Sequence, residues 1–356
     1  MSFTDRTLKP SDEKPVGVIG AGNFGTVIAN ILALNRPVLL YARDGEAVKQ
    51  INERRTNRGH AIHENVTAVN ELTTIARSCE IIFPMVPSAH FRQMMRNLSP
   101  HLQPYHILIH GTKGFDIQLP EGETIESVRT LNRQQVKTMS EVIREESVVV
   151  RIGCLAGPNL AKELSQRQPA ATVIASRFDE VIQIGKKLLR NDRFQVYENK
   201  DIVGVEIAGV LKNVIAIASG ALNGLGYGEN ARGLLVSRGA VEMVYLGRAL
   251  GGDVKAFLGV AGIGDLVTTC NSPMSRNFTV GYRLAKGETL ENILADMEEI
   301  AEGVNTVRIA KKCADFYKIR ALITDRLYKV LFEGMTVEEA LEFLMRFPLS
   351  ADIDFI

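Results

Sequence analysis

The stretch Val16-Gly17-Val18-Ile19-Gly20-Ala21-Gly22-Asn23-Phe24-Gly25-Thr26-Val27-Ile28-Ala29 places a glycine-rich turn between two apolar runs. The pattern predicts a buried strand, a Gly-x-Gly-x-x-Gly turn and an apolar helix. Gly20 permits the tight turn, Gly22 removes a side chain where backbone must approach phosphate, and Gly25 lets the helix lie close to the strand. The helix start would then offer its unpaired N–H groups to a dinucleotide pyrophosphate. An ordinary strand-to-helix turn is the alternative.

Length and composition bound the architecture. The chain has 356 residues, of which 46% are hydrophobic, and this exceeds what one core usually supports, so two domains are expected. The formal charge is +1 and the basic residues are scattered, which gives no indication of nucleic-acid binding or of an anionic membrane surface. The 4 cysteines are far apart in the chain, so no metal site or disulfide framework is expected, and a reducing, cytoplasmic setting fits best.

The N-terminal segment, residues 1–14, is a polar tail without the apolar core of a signal sequence. No later apolar run is long and uninterrupted enough to predict a membrane span. We therefore expect no membrane insertion.

The first half of the chain, from residue 16 to about residue 197, alternates short β-rich runs with amphipathic stretches. This alternation predicts an α/β fold, with an N-terminal, mainly parallel, doubly wound sheet of the Rossmann type. Beyond the opening stretch, the predicted strands are 38–41, 81–86, 107–110, 147–150, 171–174 and 194–197. Residues 116–146 have few β-branched apolar runs, and we interpret them as a loop followed by a surface helix, with no function assigned.

The second half, from residue 201, has apolar residues at helical spacing and predicts an all-helical C-terminal domain. The clearest helical patterns cover 205–218, 231–250, 304–317 and 337–344. The polar residues 199–201 mark the boundary and can cap the helix that follows. The predicted domains are a dinucleotide-binding domain at 15–199 and a helical substrate and catalytic domain at 200–356.

The choice of nicotinamide cofactor depends on the end of the second strand, about 20 residues after the glycine turn. An acidic residue there favours NAD, and an arginine accommodates the 2′-phosphate of NADP. Arg43 slightly favours NADP or tolerance of both cofactors, unless it is a solvated surface charge. Asp44 is a ribose ligand or the cap of the next helix.

Two lysines occupy settings that are unusual for structural residues. Lys113 follows an apolar strand and is expected at the carboxyl edge of the sheet, where ligands bind in open α/β folds. Lys212 lies in the middle of an apolar helix, where burial would lower its pKa toward the range useful for a proton donor to a carbonyl. The alternative for Lys212 is a side chain that extends its ammonium to solvent.

Two further segments combine helix-start chemistry with a charged residue. Asp265 follows three glycines and is either a site residue or a helix cap. Ser275, Arg276 and Asn277 have similar cap chemistry, and the arginine could bind phosphate beside helix N–H groups. Together the two segments suggest one ligand pocket.

Eight motifs, in order along residues 15–345, make the match to a family specific. They are GAGNFGT (20–26), HGTKGF (110–115), AGPNLAKEL (156–164), EIAGVLKNVIAIASG (206–220), NARGLLVSRG (230–239), GVAGIGDLVTTC (259–270), SRNFTVG (275–281) and AEGVNT (301–306). The chain resembles the NAD(P)-dependent glycerol-3-phosphate dehydrogenases. Phe24 stands where tryptophan is frequent in bacterial members, and Asn159 stands where serine is frequent. These differences bear on ligand affinity more than on the identification of the family.

The resemblance implies roles for individual residues. Lys212 would be the proton donor and acceptor, Lys113 would contact substrate and cofactor, and Asp265 would hold Lys212 and the substrate hydroxyls. The other residues implied to bind the substrate are Gly157, Asn159, Ser275, Arg276 and Asn277. Those implied to bind the cofactor are Gly20, Gly22, Asn23, Phe24, Gly25, Arg43, Lys113, Ala161, Arg276, Ile300 and Glu302.

The expected reaction is the reversible reduction of dihydroxyacetone phosphate to sn-glycerol 3-phosphate, a glycerophospholipid precursor, in the cytoplasm. The resemblance also implies a homodimer. Two alternatives stay open at this point: a two-domain reductase acting on a 3-hydroxy acid or a phosphogluconate-like sugar acid, and a non-catalytic dinucleotide sensor. The combination of Lys113, Lys212 and Asp265 argues against the sensor, which has no need for a proton donor.

Overall fold

The opening stretch forms the predicted strand, turn and helix. The computed structural model describes residues 14–297 and 300–347, so the polar tail up to residue 13 and the last nine residues lie outside it. Strand β1 (Val16–Ile19) is fully buried, and helix α1 (Asn23–Ala33) follows the glycine turn. Apolar side chains of both elements share one hydrophobic core, among them Val18, Ile28 and Leu32.

The main sheet has eight strands among the described residues. The strands after β1 are β2 (Val38–Tyr41), β3 (Thr56–Asn57), β4 (His60–Ala61), β5 (Val66–Val69), β6 (Ile81–Pro84), β7 (Ile107–His110), β8 (Asp116–Ile117), β9 (Val136–Lys137), β10 (Arg151–Ala156), β11 (Ala170–Ser176) and β12 (Phe194–Asn199). Their order in the sheet is β12-β11-β10-β7-β6-β1-β2-β5, while β3 pairs with β4 and β8 with β9 in two small hairpins. Neighbouring strands of the main sheet are parallel except β10 and β11, which confirms the predicted doubly wound sheet.

The helices of the first half cover the sheet and leave one edge open for loops. After α1 they are α2 (Gly45–Arg54), α3 (Leu72–Ser78), α4 (Ser88–Leu98), α5 (Met139–Glu146), α6 (Ala161–Ser165) and α7 (Asp179–Leu189). Because β1, β6, β7 and β10 run in the same direction, their carboxyl ends meet at one edge. The loops that begin at Gly20, Gly111 and Gly157 therefore emerge side by side, where open α/β sheets bind ligands.

Described residues after position 199 form helices and connecting loops, as predicted. The helices are α8 (Ile202–Gly224), α9 (Glu229–Ala249), α10 (Val254–Leu258), α11 (Asp265–Asn271), α12 (Arg276–Ala285), α13 (Leu290–Asp296), α14 (Glu302–Tyr317), α15 (Leu322–Phe332) and α16 (Val337–Arg346). A π-helical turn, Val260–Gly264, precedes α11.

Helix α8 is the core of this helical part. Within the residues that the structure describes, it is the one helix whose length and apolar composition would suit a membrane span, but 89% of its apolar window is buried inside the protein. The carboxylate of Asp201 accepts from the N–H of Gly204 at 2.9 Å, so the predicted helix cap is confirmed. The division of the chain into domains at residue 200 stays a prediction.

One expectation for the region before β10 is wrong. The strand predicted at 147–150 lies instead at Arg151–Ala156, and Val148 and Val150 are 55% and 58% exposed. Strand propensity reflects packing on a half-buried surface, and these valines have no such packing. The surface helix expected after the loop is confirmed as α5, which exposes Arg144 and Glu145 and buries Met139, Val142 and Ile143, because its apolar residues recur at helical spacing.

Candidate active site

The glycine turn has the backbone geometry and the open space that a pyrophosphate requires. Gly20 has a φ of +117°, a conformation that favours glycine. A Cβ atom on Gly25 would lie 1.9 Å from the carbonyl oxygen of Gly20, so a side chain there would push α1 away from β1. Around Gly22, no described atom lies within 4 Å of an added Cβ, and no side chain caps α1. Asn23 and Phe24 begin α1 and are half-buried beside this space.

The end of β2 carries the residues on which cofactor choice depends. The carboxylate of Asp44 accepts from the N–H of Glu46 at 3.0 Å and caps α2, which confirms the capping alternative. Arg43 is exposed at the same end of the strand, next to β1 in the sheet. The preference for NADP stays a prediction.

Lys113, Lys212 and Asp265 form one cluster. Lys212 lies in the middle of α8, Lys113 follows β7, and Asp265 is the first residue of α11. Lys212 Nζ donates to Oδ1 of Asp265 at 2.8 Å, and Lys113 Nζ donates to Oδ2 at 2.5 Å. Lys113 Nζ also donates to the carbonyl oxygen of Gly157 at 3.0 Å. One carboxylate thus joins ammonium groups from both halves of the chain.

Burial and charge alter the acidity of this cluster. Lys212 is 6% exposed, so its ammonium does not extend to solvent. Burial, assisted by the charge of Lys113 and opposed by Asp265, lowers the pKa of Lys212 to about 8. Burial alone would raise the pKa of Asp265, but the two ammonium groups outweigh it and hold that pKa below its usual range. Near neutral pH the cluster therefore combines an ionised carboxylate with a lysine that readily gives up a proton.

Sequence reasoning missed Thr269. Its hydroxyl accepts from Lys212 Nζ and lies 3.1 Å from Oδ1 of Asp265. The two residues are four positions apart, and this spacing puts both on one face of α11. The same spacing in the sequence was a signal that could have identified Thr269. The N-cap alternative for Asp265 is wrong, since Asp265 is already helical and follows the π-helical turn.

The loop after β10 carries three more of the predicted residues. Gly157, with a φ of +150°, supplies the carbonyl group that Lys113 contacts. The side-chain amide of Asn159 lies 2.9 Å from Oγ1 of Thr172. Ala161 is half-buried at the start of α6. Of the three, Gly157 is the one for which the structure describes a contact with the lysine cluster.

A second cluster lies at the starts of α12 and α14. Ser275 caps α12 by accepting from the backbone N–H three residues further on, at 3.3 Å. The guanidinium of Arg276 donates to the carbonyl oxygen of Ile300 at 2.9 Å. Asn277 Oδ1 accepts from the N–H of Gly303 at 3.0 Å. Residues that the sequence suggested for phosphate and for cofactor therefore lie together.

Glu302 links this second cluster to the first half of the chain. Its carboxylate accepts from the backbone N–H of Ser88 at 2.8 Å and from the hydroxyl at 2.5 Å. Ser88 is the first residue of α4, so the carboxylate lies at the positive end of that helix. A Cβ added to Gly114, beside Lys113, would lie 2.4 Å from the Ser88 side chain. The two halves thus meet next to the lysine cluster.

The open glycine turn, the buried Lys212 and the half-buried Lys113 at one edge of the sheet define a dinucleotide-dependent oxidoreductase. Two family models match the chain: NAD-dependent glycerol-3-phosphate dehydrogenase N-terminus at residues 15–182, and the C-terminus of the same enzyme at residues 201–342. The chain belongs to this family, and the resemblance seen in its motifs is confirmed.

Relatives of known name cover nearly the whole chain. Glycerol-3-phosphate dehydrogenase (NAD(P)+) of Teredinibacter turnerae is 38% identical over 344 residues, which are 95% of this chain and 96% of the relative. The enzyme of the same name from Pseudomonas putida is 37% identical over 352 residues, 97% of this chain and 98% of the relative. The crystal structure of glycerol-3-phosphate dehydrogenase from Coxiella burnetii matches with a TM-score of 0.83 at 28% identity, covering 94% of this chain and 99% of that one.

Proposed function

We propose that this protein catalyses the reversible reduction of dihydroxyacetone phosphate to sn-glycerol 3-phosphate with NADH or NADPH. The family and the names of the bacterial relatives support this activity. The observation that carries the proposal is the buried Lys212 ammonium, held by Asp265 at the sheet edge where the glycine turn lies.

The glycine turn and the start of α1 would hold the cofactor pyrophosphate. The open space at Gly22 and the start of α1, which no side chain caps, fit such a group. When bound, the reduced nicotinamide supplies a hydride to the carbonyl carbon. The residues proposed to contact the cofactor are Gly20, Gly22, Asn23, Phe24, Gly25, Arg43, Lys113, Ala161, Arg276, Ile300 and Glu302.

Lys212 would supply the proton. A ketone that accepts hydride develops negative charge on its oxygen, and a neighbouring ammonium stabilises that charge and then donates a proton to it. A lysine with its pKa lowered to about 8 gives up this proton more readily than an exposed one, and it can take the proton back in the reverse direction. Asp265 and Thr269 fix the direction of the ammonium through their hydrogen bonds.

Lys113 would add positive potential and orient the substrate. Its ammonium shares Asp265 with Lys212, so the two positive charges stay close without an unpaired buried charge. Gly157 and Asn159 would line the same cleft from the loop after β10.

The start of α12 would bind the substrate phosphate. Ser275, Arg276 and Asn277 present a hydroxyl, a guanidinium and an amide beside the first N–H groups of this ten-residue helix. Binding at this remote end would fix the carbonyl group in front of Lys212, so its contribution is mainly positional. Closure of the two halves would exclude water from the reacting atoms.

The direct test follows reduced-cofactor absorbance with dihydroxyacetone phosphate, using NADH and NADPH in parallel. Oxidised forms of a 3-hydroxy acid and of a phosphogluconate-like sugar acid serve as comparison substrates. We expect turnover with the phosphorylated ketone and at most a trace with the others. Turnover of a comparison substrate in preference to dihydroxyacetone phosphate would reject the proposal.

A lysine substitution tests the assigned proton donor. Lys212→Met should lower kcat by about 10²–10⁴-fold, the usual contribution of a positioned acid, while cofactor binding measured by fluorescence titration stays nearly unchanged. Lys312→Met is a matched control, because Lys312 is also buried but donates to the carbonyl oxygen of Val128, away from the cluster. Near-normal turnover of Lys212→Met would remove Lys212 from the mechanism.

We further propose that the protein acts in the cytoplasm as a homodimer and supplies a glycerophospholipid precursor. Cys79, Cys154, Cys270 and Cys313 are free and buried, which suits a reducing compartment. The dimer rests on the family resemblance. Light scattering of the purified protein at micromolar concentration tests it, and a monomer mass would contradict it.

A further inference from the structure

A buried glutamate in α8 stands apart from the site residues considered so far. Glu206 lies six positions before Lys212 and is 6% exposed, on a helix whose other inward residues are mostly apolar. A carboxylate in such surroundings is costly unless it is paired and hydrogen-bonded. The groups that bond to the Glu206 carboxylate therefore indicate its role.

Glu206 has partners from two other elements. The backbone N–H and the hydroxyl of Ser140, in the first turn of α5, donate to it at 2.8 and 2.5 Å. His110 Nε2 lies 2.9 Å from Glu206 Oε1, close enough for an ion pair, although the ring N–H does not point squarely at the oxygen. His110 is 1% exposed, and its ring packs edge-on against Phe91. Burial alone would raise the pKa of Glu206, but these partners hold it below its usual range.

These contacts align the two segments that carry the lysines. His110 is the last residue of β7 and lies three positions before Lys113. Three residues of α8, each three positions from the next, contact this segment or the cluster. Glu206 contacts His110, and Lys212 contacts Asp265. Between them, a Cβ atom added to Gly209 would lie 3.8 Å from the aliphatic part of the Lys113 side chain. Residues spaced by three on a helix lie on neighbouring turns, so one side of α8 follows the chain from β7 to the cluster.

We propose that Glu206 is a positioning residue that sets the register between β7 and α8 and thereby the relative placement of Lys113 and Lys212. The proposal rests on the proposed function of these lysines. Asp265 holds the two ammonium groups together, and the Glu206–His110 pair connects the helix and the strand that carry the two lysines. Ser140 holds the carboxylate in place, which gives α5 a role that the sequence left unassigned.

The consequence is a larger effect on kcat than on the KM values. If the pair is lost, α8 can slide or rotate against the end of β7, and a misplacement of about 1 Å at a reacting group costs up to about 10²-fold in rate. The glycine turn belongs to β1 and α1, outside the elements that the Glu206–His110 pair joins, and keeps its geometry.

The experiment compares two buried glutamates that differ in what they hold. Glu206→Gln keeps the size and the acceptor oxygen but removes the charge that faces His110. Glu242→Gln is the matched control, since Glu242 is 7% exposed and accepts from the start of α15, at Ile323 and Thr324, away from the lysines. We expect Glu206→Gln to lower kcat by about 10–10²-fold with both KM values within about threefold. Glu242→Gln should keep kcat within about twofold of wild type, whatever its melting temperature.

Ser140→Ala provides a second variant if Glu206→Gln fails to fold, because it removes one hydroxyl and leaves the backbone N–H. It should lower kcat by about three- to tenfold. The effect is smaller than that of Glu206→Gln because the backbone N–H of Ser140 still donates to the carboxylate. Unchanged kcat in a folded Glu206→Gln, or an equal loss in Glu242→Gln, would overturn the proposal.

Crystal structures of the wild type and of Glu206→Gln provide a readout besides activity. We expect the distance between Lys113 Nζ and Lys212 Nζ to change by about 1 Å or more in the variant. An unchanged cluster would overturn the positioning role even if no substrate were turned over. Absence of turnover by the wild type would instead contradict the proposed function, so the two failures are distinguishable.

Discussion

A lysine ammonium with almost no exposed surface is the central feature at the scale of single residues. The sequence identified Lys113, Lys212 and Asp265 as candidates, because charged residues beside glycines or inside apolar helices are unusual. It could not show that one carboxylate serves both lysines, since this depends on the phase of α8 against α11. Thr269 was missed because a threonine in a helix is ordinary by itself, and the one signal in the sequence was its spacing of four from Asp265.

The acidity of Lys212 predicts opposite pH profiles for the two directions of the reaction. Its pKa is lowered from 10.5 to about 8. Ketone reduction needs the protonated form, so its kcat/KM should be flat below pH 8 and fall about tenfold per unit above it. Oxidation of glycerol 3-phosphate needs the neutral form, so its kcat/KM should rise about tenfold per unit up to about pH 8 and be flat above it. Initial rates from about pH 6 to about pH 10 in both directions test this.

A variant at Lys212 serves as the control for these profiles. The guanidinium of Lys212→Arg keeps its proton throughout this range, so any residual reduction by that variant should lose the fall above pH 8. The same fall in wild type and in Lys212→Arg would assign the titration to another group.

The exposed Arg43 predicts a change in cofactor preference. If its guanidinium binds the 2′-phosphate, Arg43→Ala should raise the KM for NADPH by about tenfold and change that for NADH by less than about twofold. Arg177→Ala is a suitable control: Arg177 is also exposed but follows β11, which runs antiparallel to β10 and so ends at the opposite edge of the sheet. An unaltered ratio of the two KM values in Arg43→Ala would show that Arg43 does not determine the preference between NADH and NADPH.

At the scale of elements, the sequence predicted best where local pattern and tertiary packing agree. Helix α8 and the strand β1 are buried along almost their whole length, so their apolar runs mark them directly. The strand at 147–150 was predicted from three valines, two of which, Val148 and Val150, are exposed. Strand β10 contains Gly153 and Cys154 and is a strand because both neighbours pair with it. Pairing partners are distant in sequence, and short-range patterns do not contain them.

The start of α1 predicts different effects for three glycine-to-alanine substitutions. Gly22→Ala adds a methyl group to open space, so the protein should fold normally but bind cofactor at least about tenfold more weakly, because the methyl occupies the phosphate position. Gly25→Ala meets the Gly20 carbonyl oxygen at 1.9 Å and should also lower the melting temperature. Gly45→Ala, at the first position of α2 in equally open space, is the control.

Calorimetric titration and thermal melting separate the three outcomes. Normal cofactor affinity in Gly22→Ala would show that the pyrophosphate does not approach this turn, and it would remove the main support for the cofactor position.

At the scale of the whole molecule, contacts between distant residues hold the two halves together. Arg133, in the segment between β7 and β10, donates to the carbonyl oxygen of Leu250 at 2.6 Å, and its N–H donates to the hydroxyl of Tyr317 at 2.9 Å. These partners are 117 and 184 positions away, and Ser88 and Glu302 are 214 positions apart. The sequence predicted an α/β first half and a helical second half. It could not predict these hydrogen bonds, because they depend on how the two halves pack against each other.

The contact between Ser88 and Glu302 predicts a test of closure. Ser88→Ala removes the hydroxyl that donates to the carboxylate and keeps the backbone N–H. A hydrogen bond to a charged group is worth about 1.5–3 kcal/mol, so a closed form held by this contact should become at least about tenfold less populated. Because apparent affinity scales with the closed fraction, the KM values for cofactor and substrate should rise together. Ser176→Ala is the control, since the hydroxyl of Ser176 donates to Ile152 and accepts from the N–H of Phe178, both within the first half of the chain. Steady-state kinetics in which both KM values stay at the wild-type level would mean that this contact does not hold the halves closed.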